Sequence, residues 1–332
     1  MTVVGSIVYA TKSGLGNLAK LLYDSKIIDR VFIAQHQTFS SNLDWYPRQS
    51  RETEDIKKFL ESIDTLFLLE APLPDPFDWT VAQTAKYMGK RVVLMPMYES
   101  TPRANLFLMD EIIVPSLLDY KYFEDFNPKF IPVPSSPDVP FRLRKEAYTF
   151  VHNVGHGGIF SRNGTVEIID ALPLIKSDIK LVMRIQPDAD PQLLSLVDSI
   201  VDKRVEVVKD HIPFEELWTE GDVFLFPEKF NGLSLPLQEA CAAGMLVMAG
   251  NRHPINTWLP HQPLIPVSGY FTTKIPWIGI EVKNAIFKPE SIADTIDYWA
   301  GKGVSYHSAS GREWAKANSG QNLKPLYDEI LR

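Results

Sequence analysis

The chain has 332 residues, of which 45% are hydrophobic and 23% are charged. This length suffices for about two ordinary domains with buried cores, and the composition is that of a globular protein. The lone cysteine, Cys241, excludes an internal disulfide framework and a cysteine-based zinc site. No apolar run approaches the roughly 18 residues that span a bilayer, and no signal peptide is visible, so we expect a soluble, cytoplasmic protein without a membrane anchor.

The net charge of −7 is unevenly distributed along the chain. Residues 1–145 carry 17 basic and 18 acidic side chains, whereas residues 146–332 carry 17 and 23. This balance gives the whole molecule no strong electrostatic attraction for nucleic acid, although a local patch on the near-neutral first half stays open.

In the first half, short apolar runs alternate with helical stretches. Strands are predicted at 3–10, 31–34, 65–69, 91–96, 111–114 and 130–132, and helices at 15–24, 53–62, 79–88, 105–109 and 116–124. Continuous apolar strands are typical of a parallel sheet that is covered by helices on both faces.

A proline-rich stretch at 132–140 can form neither a helix nor a central strand, so it is predicted to be an interdomain linker. After it the alternation restarts. Strands are predicted at 149–153, 179–185, 205–208, 222–226 and 246–249, and helices at 165–174, 191–201, 213–219 and 235–243, followed by tail helices near 289–300, 311–317 and 322–331.

These elements predict an α/β chain of two doubly wound, Rossmann-like domains with parallel sheets that face a cleft. The expected domains are 1–140, 141–310 and a C-terminal helical segment, 311–332, that packs back on the first domain. Ligands of open parallel sheets bind beyond the carboxyl ends of the strands, so that edge is where the site is expected.

The most informative segment runs from Asp222 to Met245. A buried strand ends at Pro227, a turn follows through Asn231 and Gly232, and a helix begins near Ser234. The start of a helix presents free backbone N–H groups and positive partial charge, which together can bind phosphate. A carboxylate inside the helix, Glu239, could accept hydrogen bonds from two ribose hydroxyls. An ordinary strand–loop–helix with Ser234 as N-cap is an equal alternative on these grounds.

This segment resembles the signature of retaining GT-B glycosyltransferases that use nucleotide sugars, Glu-Gly-Phe-Gly-Leu-Pro-x-x-Glu followed by Ala-x-Ala-x-Gly. Here it reads Asn231-Gly232-Leu233-Ser234-Leu235-Pro236-Leu237-Gln238-Glu239, followed by Ala240-Cys241-Ala242-Ala243-Gly244. The resemblance implies that Glu239 holds the donor ribose. It also implies that residue 231 and the N–H groups of Gly232, Leu233 and Ser234 hold the sugar and the diphosphate. Asn231 replaces the first glutamate of the signature, and the nearby Glu228 is a candidate to compensate for the lost charge.

A second segment, residues 152–165, is similar to the glycine-rich loop whose cations neutralise the donor diphosphate in this family. Gly155 and Arg162 match that pattern, and His156 stands where arginine is usual. The resemblance therefore places the cationic role on Arg162, whose guanidinium is always charged and can bind bidentately. The loops that carry Arg184 and His211 are expected by the same resemblance to flank the nucleobase, with solvated loop residues as the alternative.

The first half resembles the family in outline. Gly14 and Gly16 follow the first strand and match a glycine-rich loop that faces the reacting sugar, although a plain strand-to-helix turn is the alternative. Glu99 follows the strand near 91–96, at a location that often carries a residue near the sugar, and it is a candidate for the catalytic site together with Arg162 and Asn231.

No metal is expected to be required. The Asp188-Ala189-Asp190 sequence matches an Asp-x-Asp metal motif, but N-capping explains Asp190. His152 and His156 lie on a strand and a loop and would not share a face, so a structural histidine is the better interpretation.

The predicted reaction moves a hexose, first of all glucose, from a nucleotide sugar such as UDP-glucose to a hydroxyl acceptor. The short chain looks like bacteriophage-encoded members of the group, so a hydroxymethylated pyrimidine in phage DNA is the first acceptor hypothesis, which the acidic balance opposes. A glycan, a metabolite or a protein would serve as well. A nucleotide-sugar-binding protein without transferase activity, and an epimerase or phosphorylase on the same fold, stay as alternatives.

Overall fold

The computed structural model describes residues 2–10, 14–36, 52–70, 77–136, 139–155, 162–275 and 279–332. The chain divides into two compact units. The first comprises Met1–Ser135, Lys274–Glu281 and Asn318–Arg332, and the second comprises Ser136–Thr273 and Val282–Ala317. The break at Ser135 falls inside the proline-rich stretch.

The first unit is built on a parallel six-stranded sheet with the order β2-β1-β3-β4-β5-β6. Its strands are β1 (Val4–Ala10), β2 (Arg30–His36), β3 (Thr65–Leu69), β4 (Arg91–Met95), β5 (Glu111–Val114) and β6 (Lys129–Phe130). Between these strands lie the helices α1 (Gly14–Asp24), α2 (Thr53–Glu61), α3 (Phe77–Tyr87) and α4 (Leu117–Tyr122). Every residue of β3 is buried, as expected for a strand that is covered on both faces.

The second unit is built on another parallel six-stranded sheet. Its strands are β7 (Thr149–Gly155), β8 (Lys180–Ile185), β9 (Val205–Lys209), β10 (Val223–Phe226), β11 (Leu246–Gly250) and β12 (Leu264–Ile265). Its helices are α5 (Thr165–Ala171), α6 (Pro191–Asp198), α7 (Phe214–Leu217), α8 (Leu235–Ala242), α9 (Ile255–Trp258), α10 (Pro289–Trp299) and α11 (Ser305–Ala317). A further two-stranded sheet pairs β13 (Gly269–Lys274) with β14 (Glu281–Ile286).

The strand order of the second sheet is β12-β11-β10-β7-β8-β9. Counted within this unit, it is the 3-2-1-4-5-6 order of dinucleotide-binding Rossmann sheets, and the chain reverses direction across the sheet between β7 and β10. Such a switch point opens a crevice at the carboxyl ends of its two strands, which is where ligands of this architecture bind.

The last part of the chain forms two helices, because α11 ends at Ala317 and a further helix, α12 (Gly320–Leu331), begins three residues later. α11 packs on α8, where a Cβ atom at Gly311 would lie 2.9 Å from the carbonyl oxygen of Cys241. α12 belongs to the first unit, and its Tyr327 hydroxyl donates to the carbonyl of Pro132.

Most predicted elements are present with ends shifted by a few residues, but some differ. The predicted helix at 105–109 is the 3-10 helix Arg103–Leu108, and β12, β13, β14 and α9 were not predicted. β13 is largely exposed, so it lacks the apolar pattern from which a strand can be recognised. Within the described part of the chain, every helix is too short or too polar to cross a bilayer.

Candidate functional site

The switch point of the second sheet brings the segments after β7 and β10 into direct contact. The backbone N–H of Lys229 donates to the carbonyl of Arg162 at 2.6 Å. Gly164 has a φ of +78°, and a Cβ atom there would lie 2.4 Å from the carbonyl oxygen of Pro227. Glycine at 164 therefore allows both the left-handed backbone and the close approach of the two segments.

The side chain of Asn231 organises the turn between β10 and α8. Its Oδ1 accepts hydrogen bonds from the N–H groups of Leu233 and Ser234 at 3.0 and 3.1 Å. Its Nδ2 donates to Oε1 of Glu228 at 2.8 Å. Two of the N–H groups predicted to bind phosphate are thus engaged by an oxygen of the chain itself. The third predicted residue of this turn, Gly232, is buried beside them.

Ser234 precedes the first residue of α8 and has a φ of +52°, a left-handed conformation that favours glycine. The family signature has glycine at this position. The Ser234 hydroxyl donates to Oε2 of Glu228 at 2.7 Å, and this hydrogen bond offsets part of the cost of the backbone conformation.

Glu228 is the centre of this buried polar group. Nη2 of Arg252 donates to Glu228 Oε2 at 2.9 Å, and both side chains are almost fully buried. Arg252 also donates from Nε to the Glu228 carbonyl at 2.6 Å and from Nη1 to the Asn231 carbonyl at 3.0 Å. A single guanidinium thus holds the side chain of residue 228 and the backbone on both sides of the turn.

Arg162 approaches the same carboxylate from the β7 side, with Nε 3.8 Å from Glu228 Oε1. Its guanidinium lies over the ring of Phe230 at 5.6 Å, and 27% of its side chain is exposed. Arg162 is therefore the cation of this group that an anionic ligand can reach. We call Arg162, Glu228, Asn231, Ser234 and Arg252 the switch-point cluster.

A second group forms around the segment that follows α7. Nη1 of Arg184 donates to the carbonyl of Leu217, and Arg184 is buried. The neighbouring Trp218 is fully buried, and its Nε1 has no hydrogen-bond partner of normal geometry among the described residues. Burial raises the pKa of the nearby Glu239 carboxyl to about 8. The indole N–H of Trp218 lies close enough to Glu239 to lower this pKa, but by less than burial raises it. The structure thus brings Arg184 and Glu239 to the same short segment.

Arg144 fixes this segment to the end of α8. It is 1% exposed, and its guanidinium donates to the carbonyls of Trp218 at 2.8 Å and Gly221 at 3.1 Å, as well as to that of Ala243. Burial lowers the pKa of Arg144 to about 10. Arg144 stays charged at neutral pH and donates to three carbonyls, of which those of Gly221 and Ala243 also accept from Arg142.

Of the two histidines of the glycine-rich segment, only His152 lies among the residues that the structure describes. His152 is fully buried, and its Nδ1 donates to the carbonyl of Leu225 while Nε2 accepts from the Thr165 hydroxyl. Burial lowers the pKa of His152 to about 4, so the ring is neutral and its predicted structural role is confirmed. His156 lies outside the described residues. Gly155 ends β7 with a φ of +60°, at the entry to that segment.

The loops after β8 and β9 also meet, since Nε2 of His211 lies 3.4 Å from Oδ1 of Asp188. Both side chains are half exposed. Asp190 caps α6 by accepting from the N–H groups of Gln192 and Leu193, as predicted. Among the described residues, no group of three or more His, Cys, Asp or Glu side chains is arranged to hold a metal ion.

The remaining predicted residues belong to the first unit. Gly14 and Gly16 lie in the first turn of α1, and their predicted role at the donor stays a prediction. Glu99 follows β4 beside the buried Asp119. Burial first, and then the negative charges of Glu99 and Glu70, raise the pKa of Asp119 well above its ordinary range. Glu99 thus belongs to an acidic group at the carboxyl edge of the first sheet.

Arg252, Trp218 and Arg144 were not predicted. Arg252 follows β11, the strand next to β10, so a cation at the carboxyl end of an adjacent parallel strand was a signal that the sequence offered. Nothing in the sequence indicates the environment of Trp218 or Arg144, because each depends on a segment distant along the chain.

No protein-family model and no curated protein matches the chain in sequence. Solved structures do match it along its whole length. A glycosyltransferase from Rickettsia africae ESF-5 is 14% identical with a TM-score of 0.71, and 100% of this chain and 99% of that chain are covered. HepE from Anabaena, solved in complex with UDP and glucose, is 12% identical with a TM-score of 0.68 and the same coverage.

A third match is sucrose-phosphate synthase from Thermosynechococcus elongatus, at 13% identity and a TM-score of 0.65, with 99% of this chain and 98% of that chain covered. Likeness at this level of identity establishes the fold. The chain has the α/β architecture of GT-B glycosyltransferases, with two parallel six-stranded sheets, and the predicted fold class is confirmed.

Proposed function

We propose that the chain is a retaining glycosyltransferase that moves a hexose, first of all glucose, from a nucleoside-diphosphate sugar such as UDP-glucose to a hydroxyl group, with no metal required. The observation that carries the proposal is the switch-point cluster, which sets a reachable guanidinium beside the N-terminus of α8 at the ligand-binding edge of a Rossmann sheet. The complex of the structurally similar HepE with UDP and glucose supports the same class of donor.

The chemical barrier in this reaction is departure of the diphosphate while positive charge grows at the anomeric carbon. Arg162 would stabilise the leaving group because its charge is fixed in place before the reaction begins. The N–H groups of Leu233 and Ser234 are held by Asn231 Oδ1, and this contact would keep the turn before α8 in place beside the leaving group. We assign no general base. Retention of configuration rests on the family resemblance.

Glu239 would accept hydrogen bonds from the two ribose hydroxyls. Both hydroxyls donate in that arrangement, so the carboxylate has to be ionised when the donor is bound. In the donor-free protein, burial raises the pKa of Glu239 to about 8, and donor binding near neutral pH would therefore release a proton.

The acceptor that we propose first is a hydroxymethylated pyrimidine in phage DNA. Its support is the similarity of the short chain to bacteriophage-encoded members of the family, and the net charge of −7 opposes it. A glycan, a metabolite or a protein is the alternative acceptor, and each carries a hydroxyl group that the same donor chemistry would modify.

One observation favours a second candidate, a nucleotide-sugar-binding protein that does not transfer. Asn231 replaces a carboxylate of the family signature, and its oxygen already engages two N–H groups that a diphosphate would use. Donor binding without turnover is what this candidate predicts.

Release of UDP from UDP-glucose, measured with and without acceptors, tests the proposed function. Turnover that Arg162→Ala lowers by about a hundredfold and Lys180→Ala preserves would support transfer. Lys180 is an exposed residue paired with Glu206 on the same unit. Tight binding of UDP-glucose without release of UDP, whichever acceptor is added, would favour the binding protein. Absence of both would refute the proposal.

A further inference from the structure

The cluster at the switch point contains a buried carboxylate and a buried guanidinium that the proposed chemistry does not use. Glu228 and Arg252 are 3% and 2% exposed, and the ion pair between them measures 2.9 Å. Buried ion pairs add little net stability, because desolvation of the two charges offsets their attraction. Their presence beside a candidate donor site therefore calls for a reason other than stability.

The contacts of the pair supply such a reason, because both side chains form hydrogen bonds with the turn that carries Asn231. Glu228 accepts from Asn231 Nδ2 through Oε1 and from the Ser234 hydroxyl through Oε2. Arg252 holds the carbonyl oxygens of residues 228 and 231. A carboxylate can only accept, so Glu228 obliges the amide of Asn231 to turn Nδ2 toward it and Oδ1 toward the helix.

The same geometry explains why residue 231 carries an amide in this chain. An aspartate there would place an oxygen where Nδ2 now lies, 2.8 Å from Glu228 Oε1. Two carboxylates at that distance repel each other when both are ionised. The negative charge that the family signature has at residue 231 is thus carried three residues earlier, at Glu228.

We propose that Glu228 and Arg252 are positioning residues, and that they hold Asn231 and the turn before α8 in the orientation from which the nucleotide sugar is bound and its hexose is transferred. The proposal rests on the proposed function. It deepens that function by assigning the negative charge, which the family signature has at residue 231, to Glu228, and an amide to residue 231.

An exchange experiment tests this proposal in the full-length chain. Asn231→Asp alone is expected to lower kcat for UDP-glucose turnover on the order of a hundredfold, because a displaced turn misplaces the reacting groups. The double variant Glu228→Gln/Asn231→Asp restores one carboxylate and one amide in mutual contact. Its kcat is expected to return to within about tenfold of the wild-type value.

A second double variant, Glu228→Gln/Arg252→Gln, removes both buried charges together and leaves amides that can still form hydrogen bonds. We expect it to fold, with kcat reduced and the affinity for UDP changed far less, since Glu239 is untouched. The matched control is Asp202→Asn/Arg204→Gln, a pair at 2.6 Å in the same unit whose arginine likewise donates to carbonyls, those of Leu172 and Ile175. It should keep the wild-type kcat.

The outcomes separate this proposal from the proposed function. The positioning role is overturned if the folded exchange variant is no more active than Asn231→Asp. It is also overturned if kcat is unchanged in Glu228→Gln/Arg252→Gln. In either case, turnover by the wild-type protein would still support the transferase. A wild-type protein that neither binds UDP nor releases it from UDP-glucose overturns both. Equal losses of kcat and of melting temperature in the control pair would show that removing another ion pair of this unit has the same effect, and would also overturn the positioning role.

Discussion

The two sheets of this chain have the same parallel architecture but opposite chemistry at their carboxyl edges. In the first unit, Asp119 is buried there near Glu99 and Glu70, and these negative charges add to burial in raising its pKa. In the second unit, one carboxylate, Glu228, faces two guanidinium groups. The topology of a parallel sheet determines where polar side chains cluster, and the charge of those side chains determines which class of ligand can bind there. Among the described residues, the second edge combines a reachable guanidinium with a helix N-terminus, and these are groups that bind a diphosphate.

The largest expected effect comes from the reachable cation of the second edge. Arg162→Ala should lower kcat for UDP-glucose turnover by about a hundredfold, because one preorganised charge that stabilises the leaving group is lost. Steady-state kinetics checks it, with Lys180→Ala as the control. A loss below about threefold would show that Arg162 does not contact the diphosphate.

Glu239 should make donor binding depend on pH. Its pKa of about 8 means that the donor-free carboxyl is protonated near neutral pH, whereas ribose binding requires the carboxylate. The affinity for UDP-glucose should therefore rise about tenfold per pH unit between pH 6 and 8 and then level off. Titration calorimetry across this range checks it. In Glu239→Gln the dependence should disappear and binding should stay weak, whereas Glu206→Gln, an exposed control, should keep the wild-type profile.

Asp119 should make the first unit less stable as the pH rises from about 4 to about 8. Its folded-state pKa is raised, so the fold favours the protonated form and stability is lost as pH rises above the unfolded value, until the folded pKa has been passed. Asp119→Asn should be close to neutral at pH 4 and stabilising at pH 8, by on the order of 1 kcal/mol for each pH unit between them. Thermal melting at both pH values checks it, and parallel profiles for the two proteins would contradict it.

The smallest expected effect concerns the left-handed backbone at Ser234. Ser234→Gly relieves a strain of about 1 kcal/mol but loses the hydrogen bond to Glu228, so the free energy of unfolding should change little. Ser234→Ala keeps the strain and loses the bond, and should be destabilising by roughly 1–2 kcal/mol. Denaturant unfolding compares the two, and an alanine variant as stable as the glycine variant would contradict this account.

The sequence predicted the β10–turn–α8 unit well, because a buried apolar run, a turn with Asn231 and Gly232, and a helix are all local signals. It did not predict the pairing of Glu228 with Arg252. These residues are 24 positions apart in the chain, and they meet because β11 lies beside β10 in register.

The side-chain orientation of Asn231 could not be predicted either. Its amide is oriented by Glu228 on one side and by the backbone N–H groups of Leu233 and Ser234 on the other. Such an arrangement depends on rotamers and burial, which a sequence pattern does not contain. The environment of Glu239 is similar, since its pKa follows from burial beside Trp218, a residue brought there by a different strand connection.

Calorimetric titration of UDP into the wild-type chain, Arg162→Ala and Glu239→Ala at pH 8 tests the central claim most directly, with Lys180→Ala as the control. The claim predicts saturable binding of one UDP per chain in the wild type and in the control, and a loss of affinity of about tenfold or more in each of the two site variants. Wild-type protein that does not bind UDP, or equal affinity in all four proteins, would contradict it.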